Sequence, residues 1–395
     1  MTDGKKHVFI IGCKGIPASY GGFETFVDKL TALNSNRDIV YHVACMSDRE
    51  ERFVCNGADC FRVKVPDIGA AKAVYYDLAA LSASLKYVRQ HPEISRPIFY
   101  ILACRIGPFI SGLKKKIRAV GGLLFVNPDG NEWRRSKWSY PVRKYWKLSE
   151  SLIVKYADLL ICDSVSIRRY IKKEYRKHKP KTVFISYGTV NRKSALADQD
   201  PLFENWLRER GLAAGNYYLI VGRFVPENNY ETMLREFMAS GTTRKLAIIT
   251  TENEKLKKQL ERKLHYGADS RIVFAGTVYD TELLMKIREK AFAYIHGHEV
   301  GGTNPSLLEA LGSTRLNLLY DVGFNREVGE DAALYWTKTP GSLSSLIAYA
   351  EKLPENEADA YGKAALERVR SAYSWELILG RYEELFLNKR RGENK

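Results

Sequence analysis

The stretch Ala291–Gly312, AFAYIHGHEVGGTNPSLLEALG, decides the fold. Its apolar run Ala291–Ile295 reads as a buried strand and Gly301–Gly302 as a turn. Thr303-Asn304-Pro305-Ser306 then opens an apolar helix that carries Glu309. Asn304 or Thr303 suits a helix cap, with Pro305 at the first helical position. A strand, a glycine turn and a helix N-terminus direct free backbone N–H groups and the positive end of the helix dipole at one point, where an anion is favoured. Glu309 lies about one and a half turns further on, placed to meet hydroxyls rather than phosphates. Diphosphate at the turn and ribose at the carboxylate would fit a nucleotide-sugar. A plain helix cap fits the same residues.

Working outward, short apolar runs alternate with helical patterns on both sides. Before the stretch come Tyr217–Val221, Leu246–Thr250 and Arg271–Ala275 as strands, with helices at Tyr230–Met238, Lys255–Leu264 and Glu282–Lys290. After it come a strand at Leu316–Tyr320 and helices at Ser342–Lys352, Glu357–Tyr373 and Trp375–Asn388. A polar break, Asn191–Pro201, separates this half from an earlier series. That series has strands at His7–Cys13, Ile39–Met46, Cys60–Val65, Ile98–Cys104, Leu123–Asn127, Leu159–Asp163 and Thr182–Ser186, and helices such as Gly22–Leu33, Ala70–Arg89 and Tyr140–Tyr156. Such alternation predicts an α/β chain with two doubly wound parallel sheets covered on both faces. Ligands in such sheets bind beyond the carboxyl ends of the strands, so the expected site is a cleft between the two domains.

Composition narrows the class. The 395 residues are 45% hydrophobic and 27% charged, ordinary for a globular protein of two domains. No apolar run reaches the ~18 residues of a membrane span, and Lys14 cuts short any signal-peptide core, so a cytosolic location is expected. The six cysteines, Cys13, Cys45, Cys55, Cys60, Cys104 and Cys162, form no C-x-x-C and mostly sit in strand-like runs. Buried thiols are expected, with no disulfide, no metal and no cofactor. The net charge of +16 is uneven: residues 1–190 hold 33 Lys and Arg against 17 Asp and Glu, and the remainder holds 29 of each. An anionic partner on the first half follows, unless the excess only serves solubility.

Three further segments carry chemistry. Gly12–Glu24, GCKGIPASYGGFE, lacks the G-x-G-x-x-G of dinucleotide binding, which counts against an oxidoreductase. Its Gly21-Gly22 at a helix start offers backbone N–H groups to anionic oxygens, or else is a flexible connection. Val221–Asn229, VGRFVPENN, presents Arg223 at a strand's carboxyl edge, either for a phosphate or for a surface ion pair. Phe125–Trp138, FVNPDGNEWRRSKW, presents Asp129 and Glu132, able to orient sugar hydroxyls or take a proton, and Trp133, able to stack on a sugar. Arg134, Arg135, Lys137, Arg143, Lys144 and Lys147 alternate there with Trp138, Tyr140, Tyr145 and Trp146. This basic aromatic face suits an anionic membrane, although a solvated helix face would read the same way.

Taken together, these segments resemble the GT-B glycosyltransferases of family 4 over nearly the whole chain. KGIPASYGGFETFVDKL, DGNEWRRSKW and RFVPENN more narrowly resemble bacterial rhamnosyltransferases of capsule and cell-wall polysaccharide assembly. The resemblance implies two Rossmann-like domains facing across a cleft: residues 1–190 for acceptor and membrane, 191–373 for the nucleotide-sugar, and a helix over 374–395 returning to the first domain. It implies a retaining transfer of rhamnose from dTDP-rhamnose to a polyprenyl-diphosphate-linked sugar on the inner face of the cell membrane, without a metal and without nucleic acid. UDP-glucose, UDP-galactose or UDP-GlcNAc are alternative donors, and a GT-B epimerase an alternative reaction.

The residue roles carried over are these. Arg223 would hold the diphosphate and Glu309 the ribose. Gly301, Gly302, Thr303 and Asn304 would meet diphosphate or sugar, Gly21 and Gly22 would close over the donor, and Tyr279 would line the base pocket. Asp129 would orient the acceptor hydroxyl, with Tyr20, Glu132, Trp133 and Arg134 around the acceptor. Two positions depart from the family: Gly301 stands where a glutamate is usual, with Glu299 nearby but out of register, and Asn228 where a lysine is usual. Lys14 or Arg105 is expected to supply the missing phosphate charge.

Overall fold

The computed structural model describes residues 3–18, 21–135, 137–251 and 253–388. The chain divides into two compact units. One comprises the described residues through Tyr187 together with those from Trp375 onward, and the other is Gly188–Ser374.

The first unit is built on eight strands: β1 (Lys6–Ile11), β2 (Ile39–Ser47), β3 (Glu51–Cys55), β4 (Ala58–Lys64), β5 (Ile98–Leu102), β6 (Leu123–Asn127), β7 (Leu159–Cys162) and β8 (Thr182–Phe184). Their order is β3-β4-β2-β1-β5-β6-β7-β8. Val8 of β1 pairs with Tyr41 on one side and Ile98 on the other, both in parallel register. Five helices belong to the first stretch of chain: α1 (Gly22–Ala32), α2 (Lys72–Gln90), α3 (Ile110–Ala119), α4 (Tyr140–Tyr156) and α5 (Val165–Glu174). Phe9, Phe99, Leu124 and Leu160 on one sheet face pack with Leu81 and Leu85 of α2, Ile117 of α3, Ile153 of α4 and Ile167 of α5.

The first sheet is parallel as expected except at one edge, where β3, not anticipated from the sequence, runs antiparallel to β4. The signal was present: Asn56 and Gly57, both at positive φ, form the two-residue turn that joins paired strands.

The second unit continues with α6 (Pro201–Glu209), α7 (Tyr230–Ala239), α8 (Glu254–Leu264), α9 (Thr281–Glu289), α10 (Pro305–Leu311), α11 (Gly323–Gly329), α12 (Ser342–Lys352) and α13 (Glu355–Tyr373). Its six strands are β9 (Tyr217–Val221), β10 (Lys245–Ile249), β11 (Ile272–Gly276), β12 (Ala293–His296), β13 (Asn317–Tyr320) and β14 (Leu334–Trp336), in the order β11-β10-β9-β12-β13-β14 and parallel throughout. Met233 and Phe237 of α7, Leu260 of α8 and Ile347 of α12 fill one face; Phe203 and Trp206 of α6 and Ile287 of α9 fill the other. Each such fully buried side chain contributes about 1.5–3 kcal/mol of apolar transfer free energy.

The last helix, α14 (Trp375–Phe386), belongs to the first unit. Its Tyr382 meets Phe26 of α1 at 5.2 Å and shares a 3.2 Å hydrogen bond with the hydroxyl of Tyr100. Sheet one is therefore covered by α2–α5 on one face and by α1 and α14 on the other.

Both sheets reverse direction once. In the first, the chain leaves β1 towards β2 and returns to β5; in the second, it leaves β9 towards β10 and returns to β12. Connections diverge at these two switch points, which opens a crevice at the carboxyl ends of the strands. No helix among the described residues is long and apolar enough to cross a membrane.

Candidate functional site

At the switch point of the second sheet, β9 ends in Val221 and β12 in His296, and the two strands are paired neighbours. The hydroxyls of Tyr294 and Ser306 each donate to the Val221 carbonyl at 3.1 Å, tying the first turn of α10 to the end of β9. Asn304 is the cap of α10: its Oδ1 accepts from the Ser306 N–H at 2.9 Å, and Pro305 holds the first position. Gly301, Gly302 and Thr303 are buried just before this cap. Arg223 projects into solvent one residue past Gly222, and its own carbonyl accepts from Asn228 Nδ2 at 2.8 Å.

Gly301 has φ 133°, a backbone that L residues rarely adopt. Glycine is thus built into the turn at the position where a glutamate was expected. Glu299 does not supply that carboxylate, because it pairs with Lys338 at 2.6 Å. Asn228, in place of a lysine, joins a neutral network instead of supplying charge. With Asn228 Nδ2 donating to Arg223, its Oδ1 accepts from His298 Nδ1 at 2.8 Å, which fixes the proton on that ring nitrogen. Burial pulls the neighbouring His296 imidazole down to about 3, so it is neutral at any physiological pH.

Glu309 is held by a residue that sequence reasoning missed. Arg288 of α9 reaches Glu309 Oε2 at 2.6 Å and Ser306 Oγ at 3.3 Å. An arginine on the far side of a strand, 21 positions earlier, leaves no local signal. Tyr279 lies on the segment after β11, two strands from β9, and is 75% exposed.

The first unit gathers the other candidates at its own carboxyl edge. Gly21, φ 127°, precedes α1, and the carboxylate of Glu24 occupies the space a Cβ there would need. That carboxylate also accepts from the Lys14 N–H at 2.8 Å. Tyr20 lies outside the described residues. Lys14 is exposed, whereas Arg105 is committed: its guanidinium contacts Asp77 at 3.1 Å and the Gly12 carbonyl at 3.0 Å. Expecting Arg105 to supply a phosphate charge is therefore corrected in part, since most of that charge is spent on a buried carboxylate. Burial pushes Asp77 up to about 6 even with Arg105 pulling the other way.

After β6, Asp129 and Asn131 adopt left-handed backbone, φ 56° and 52°, and Ala103 after β5 does so at 76°. Strained non-glycine residues at adjacent strand ends are a common mark of functional loops. Asp129 is half-buried, with its N–H on Asn127 Oδ1 at 2.8 Å. Glu132 is drawn inward: Arg135 pairs with it, Lys137 approaches at 3.2 Å, and Trp138 Nε1 donates at 3.0 Å. Against the penalty of burial, the Arg135 and Lys137 charges hold its carboxyl below the usual range. Trp133 already carries the Arg134 guanidinium at 5.0 Å and the Lys147 ammonium at 4.6 Å, so a sugar would compete with cations for its ring.

The basic aromatic face is smaller than expected. Arg135 is buried on Glu132, Lys147 lies among aromatic rings, and Tyr145 turns inward to donate to the Arg105 carbonyl at 2.6 Å. What stands outward on α4 is Tyr140, Arg143, Lys144 and Leu148, with Phe109, Lys115 and Lys116 exposed on and just before α3.

All six cysteines are free thiols. Among the described residues no group of three or more His, Cys, Asp or Glu is placed to hold a metal ion.

Two parallel-sheet Rossmann-like units with this strand order define the GT-B fold. Solved structures of that fold align over nearly the whole chain. Sucrose-phosphate synthase from Thermosynechococcus elongatus has a TM-score of 0.80 at 16% identity, covering 97% of this chain and 99% of its own. A glycosyltransferase from Rickettsia africae has 0.73 at 11%, covering 97% and 98%. Anabaena HepE, solved in complex with UDP, has 0.69 at 12%, covering 97% and 100%. Residues 5–190 match the family described as a domain of unknown function, DUF1972. No curated protein matches.

Proposed function

We propose that this chain is a retaining glycosyltransferase that moves rhamnose from dTDP-rhamnose to a polyprenyl-diphosphate-linked sugar in bacterial polysaccharide assembly. One observation carries the reading: the exposed Arg223 follows the end of β9, and the buried Gly301–Thr303 turn and the Arg288-held Glu309 follow the end of the adjacent β12, at the switch point of a six-stranded parallel sheet. A planar guanidinium and backbone N–H groups suit a diphosphate, and an oriented carboxylate suits ribose hydroxyls. HepE, of the same fold, was solved with UDP bound, which favours a nucleotide-linked donor and keeps a UDP-hexose as the alternative.

In the reaction the bond between the anomeric carbon and the diphosphate oxygen breaks, and a bond from that carbon to the acceptor oxygen forms on the same face. The acceptor hydroxyl proton leaves with the departing phosphate oxygen. Arg223 with the backbone donors stabilises the charge that builds on the leaving diphosphate. Asp129 orients the acceptor hydroxyl. In the second unit Tyr279 and Asn304 serve the donor; in the first, Gly21 and Gly22 offer backbone N–H groups to the donor, and Trp133 and Arg134 serve the acceptor.

A lipid-linked acceptor fits the charge asymmetry. The outward ridge of Tyr140, Arg143, Lys144 and Leu148 pairs cations with apolar side chains, as binding to the anionic inner face of the cell membrane requires.

Titration calorimetry with dTDP and UDP tests the donor half. Wild type is expected to bind at least one of them, with affinity lower by about tenfold or more in Arg223→Ala, the loss of a charge-assisted phosphate contact. Equal affinity in a folded Arg223→Ala protein would refute the diphosphate role.

A further inference from the structure

No residue of the turn Glu132–Arg134 is fully buried, so apolar burial alone does not hold this loop in place. The two residues beside it, Asp129 and Asn131, have left-handed backbone. Polar contacts hold the loop: Glu132 is tied to Arg135, Lys137 and Trp138, and a second set of contacts holds Trp133.

That second set comes from α4 and α5. Lys147 Nζ stands 4.6 Å from the Trp133 ring centre, 5.2 Å from Tyr170 and 4.9 Å from Tyr175, a three-sided aromatic seat for one ammonium. It also pairs with Glu174 at 2.7 Å. The Tyr170 hydroxyl is the hub. It accepts from Trp133 Nε1 at 3.1 Å and from Lys147 Nζ at 2.9 Å, and it donates to Glu150 Oε1 at 2.6 Å. Tyr175 donates to the same Glu150 oxygen. Arg143, also on α4, donates to the Trp133 carbonyl at 2.9 Å. Both side chain and backbone of Trp133 are therefore gripped by two cations of α4, Lys147 and Arg143, and by the Tyr170 hydroxyl of α5.

We propose that Lys147 is a positioning residue: by seating its ammonium against Trp133 and Tyr170 it fixes the Asp129–Trp133 loop and thereby sets the affinity for the acceptor sugar. The second half rests on the acceptor reading of that loop. The first half does not.

A cation suits this task better than an apolar plug. An ammonium at the centre of three rings attracts each of them, and it also satisfies the Tyr170 oxygen, which a methylene would leave with an unpaired lone pair. Methionine in its place keeps the length of the side chain and removes both effects. Arginine keeps the charge, but its planar fork cannot fill the seat in the same way.

Hydrogen–deuterium exchange over residues 129–135, combined with separate KM values for acceptor and donor, tests this on the full chain. In Lys147→Met, exchange of the loop is expected to accelerate and acceptor KM to rise about tenfold, with donor KM and kcat little changed. Lys147→Arg recovers part of both. Tyr170→Phe keeps the ring and removes the hub hydroxyl, so it moves both readouts in the same direction and covers the case in which Lys147→Met does not fold. Unchanged loop exchange in both Lys147→Met and Tyr170→Phe would overturn the proposal. Faster exchange with an unmoved acceptor KM would overturn its claim on acceptor affinity and the acceptor reading together, while leaving the donor reading intact.

Discussion

Arg288 and Glu309 meet at 2.6 Å, the arginine side chain 3% exposed and the glutamate 37%. That asymmetry makes their loss unequal. Removing Glu309 strands a buried guanidinium with Ser306 as its remaining side-chain partner in this network, whereas removing Arg288 leaves a carboxylate that water can solvate. Glu309→Gln is expected to cost roughly 1–3 kcal/mol of stability, and Arg288→Met less. The double variant should regain stability over Glu309→Gln without regaining nucleotide affinity. Chemical denaturation and nucleotide titration on the same three proteins read out both halves.

Gly301 offers a second test, since its φ of 133° is costly for any side chain. Gly301→Glu adds a carboxylate in the turn before the α10 cap, yet it should not behave as a gain. Strain of roughly 1–3 kcal/mol is expected in its thermal or denaturant unfolding, with weaker donor binding. A stable Gly301→Glu protein with tighter donor binding would show that the turn tolerates the side chain.

Asp77 makes a pH prediction. Its folded pKa is raised to about 6 from an ordinary 3.8, by burial, so the folded state holds a proton that the unfolded chain has already lost. The associated stability is complete below the unfolded value and is lost as pH rises through the folded one. Wild type should therefore gain on Asp77→Asn as pH is lowered from about 6 to 4, by up to about 1.4 kcal/mol per pH unit. Denaturant titrations of both proteins across that window measure the difference, and a constant gap would refute it.

The outward ridge of α4 is tested on liposomes. Arg143→Glu with Lys144→Glu should weaken binding to anionic vesicles about tenfold or more, and wild-type binding should fall with added salt. Binding indifferent to charge, lipid and salt would remove the membrane role from this surface.

Much of the candidate site in the second unit was legible in the chain. The run Ala291–Ile295, the Asn304 cap and the emergence of Arg223 from a strand end follow from local patterning, and local patterning is what a sequence displays. The Arg288–Glu309 pair does not, because it joins two helices across β12. The same limit explains the basic face. Arg135, Lys147 and Arg143 look alike in sequence, but one is spent on Glu132, one on three aromatic rings, and the third reaches solvent while its Nε holds Trp133. The β3–β4 hairpin shows a different failure: Asn56-Gly57 announced it, and the prevailing parallel pattern masked it.

Transfer itself is the most direct measurement. Purified protein, a panel of nucleotide-sugars and a polyprenyl-diphosphate-linked glucose are mixed, and the lipid product is weighed by mass spectrometry. The expected result is a gain of one deoxyhexose from dTDP-rhamnose, lost in Arg223→Ala. Product from UDP-glucose alone would contradict the rhamnose assignment, and no acceptor-dependent product from any donor would contradict the glycosyltransferase reading as a whole.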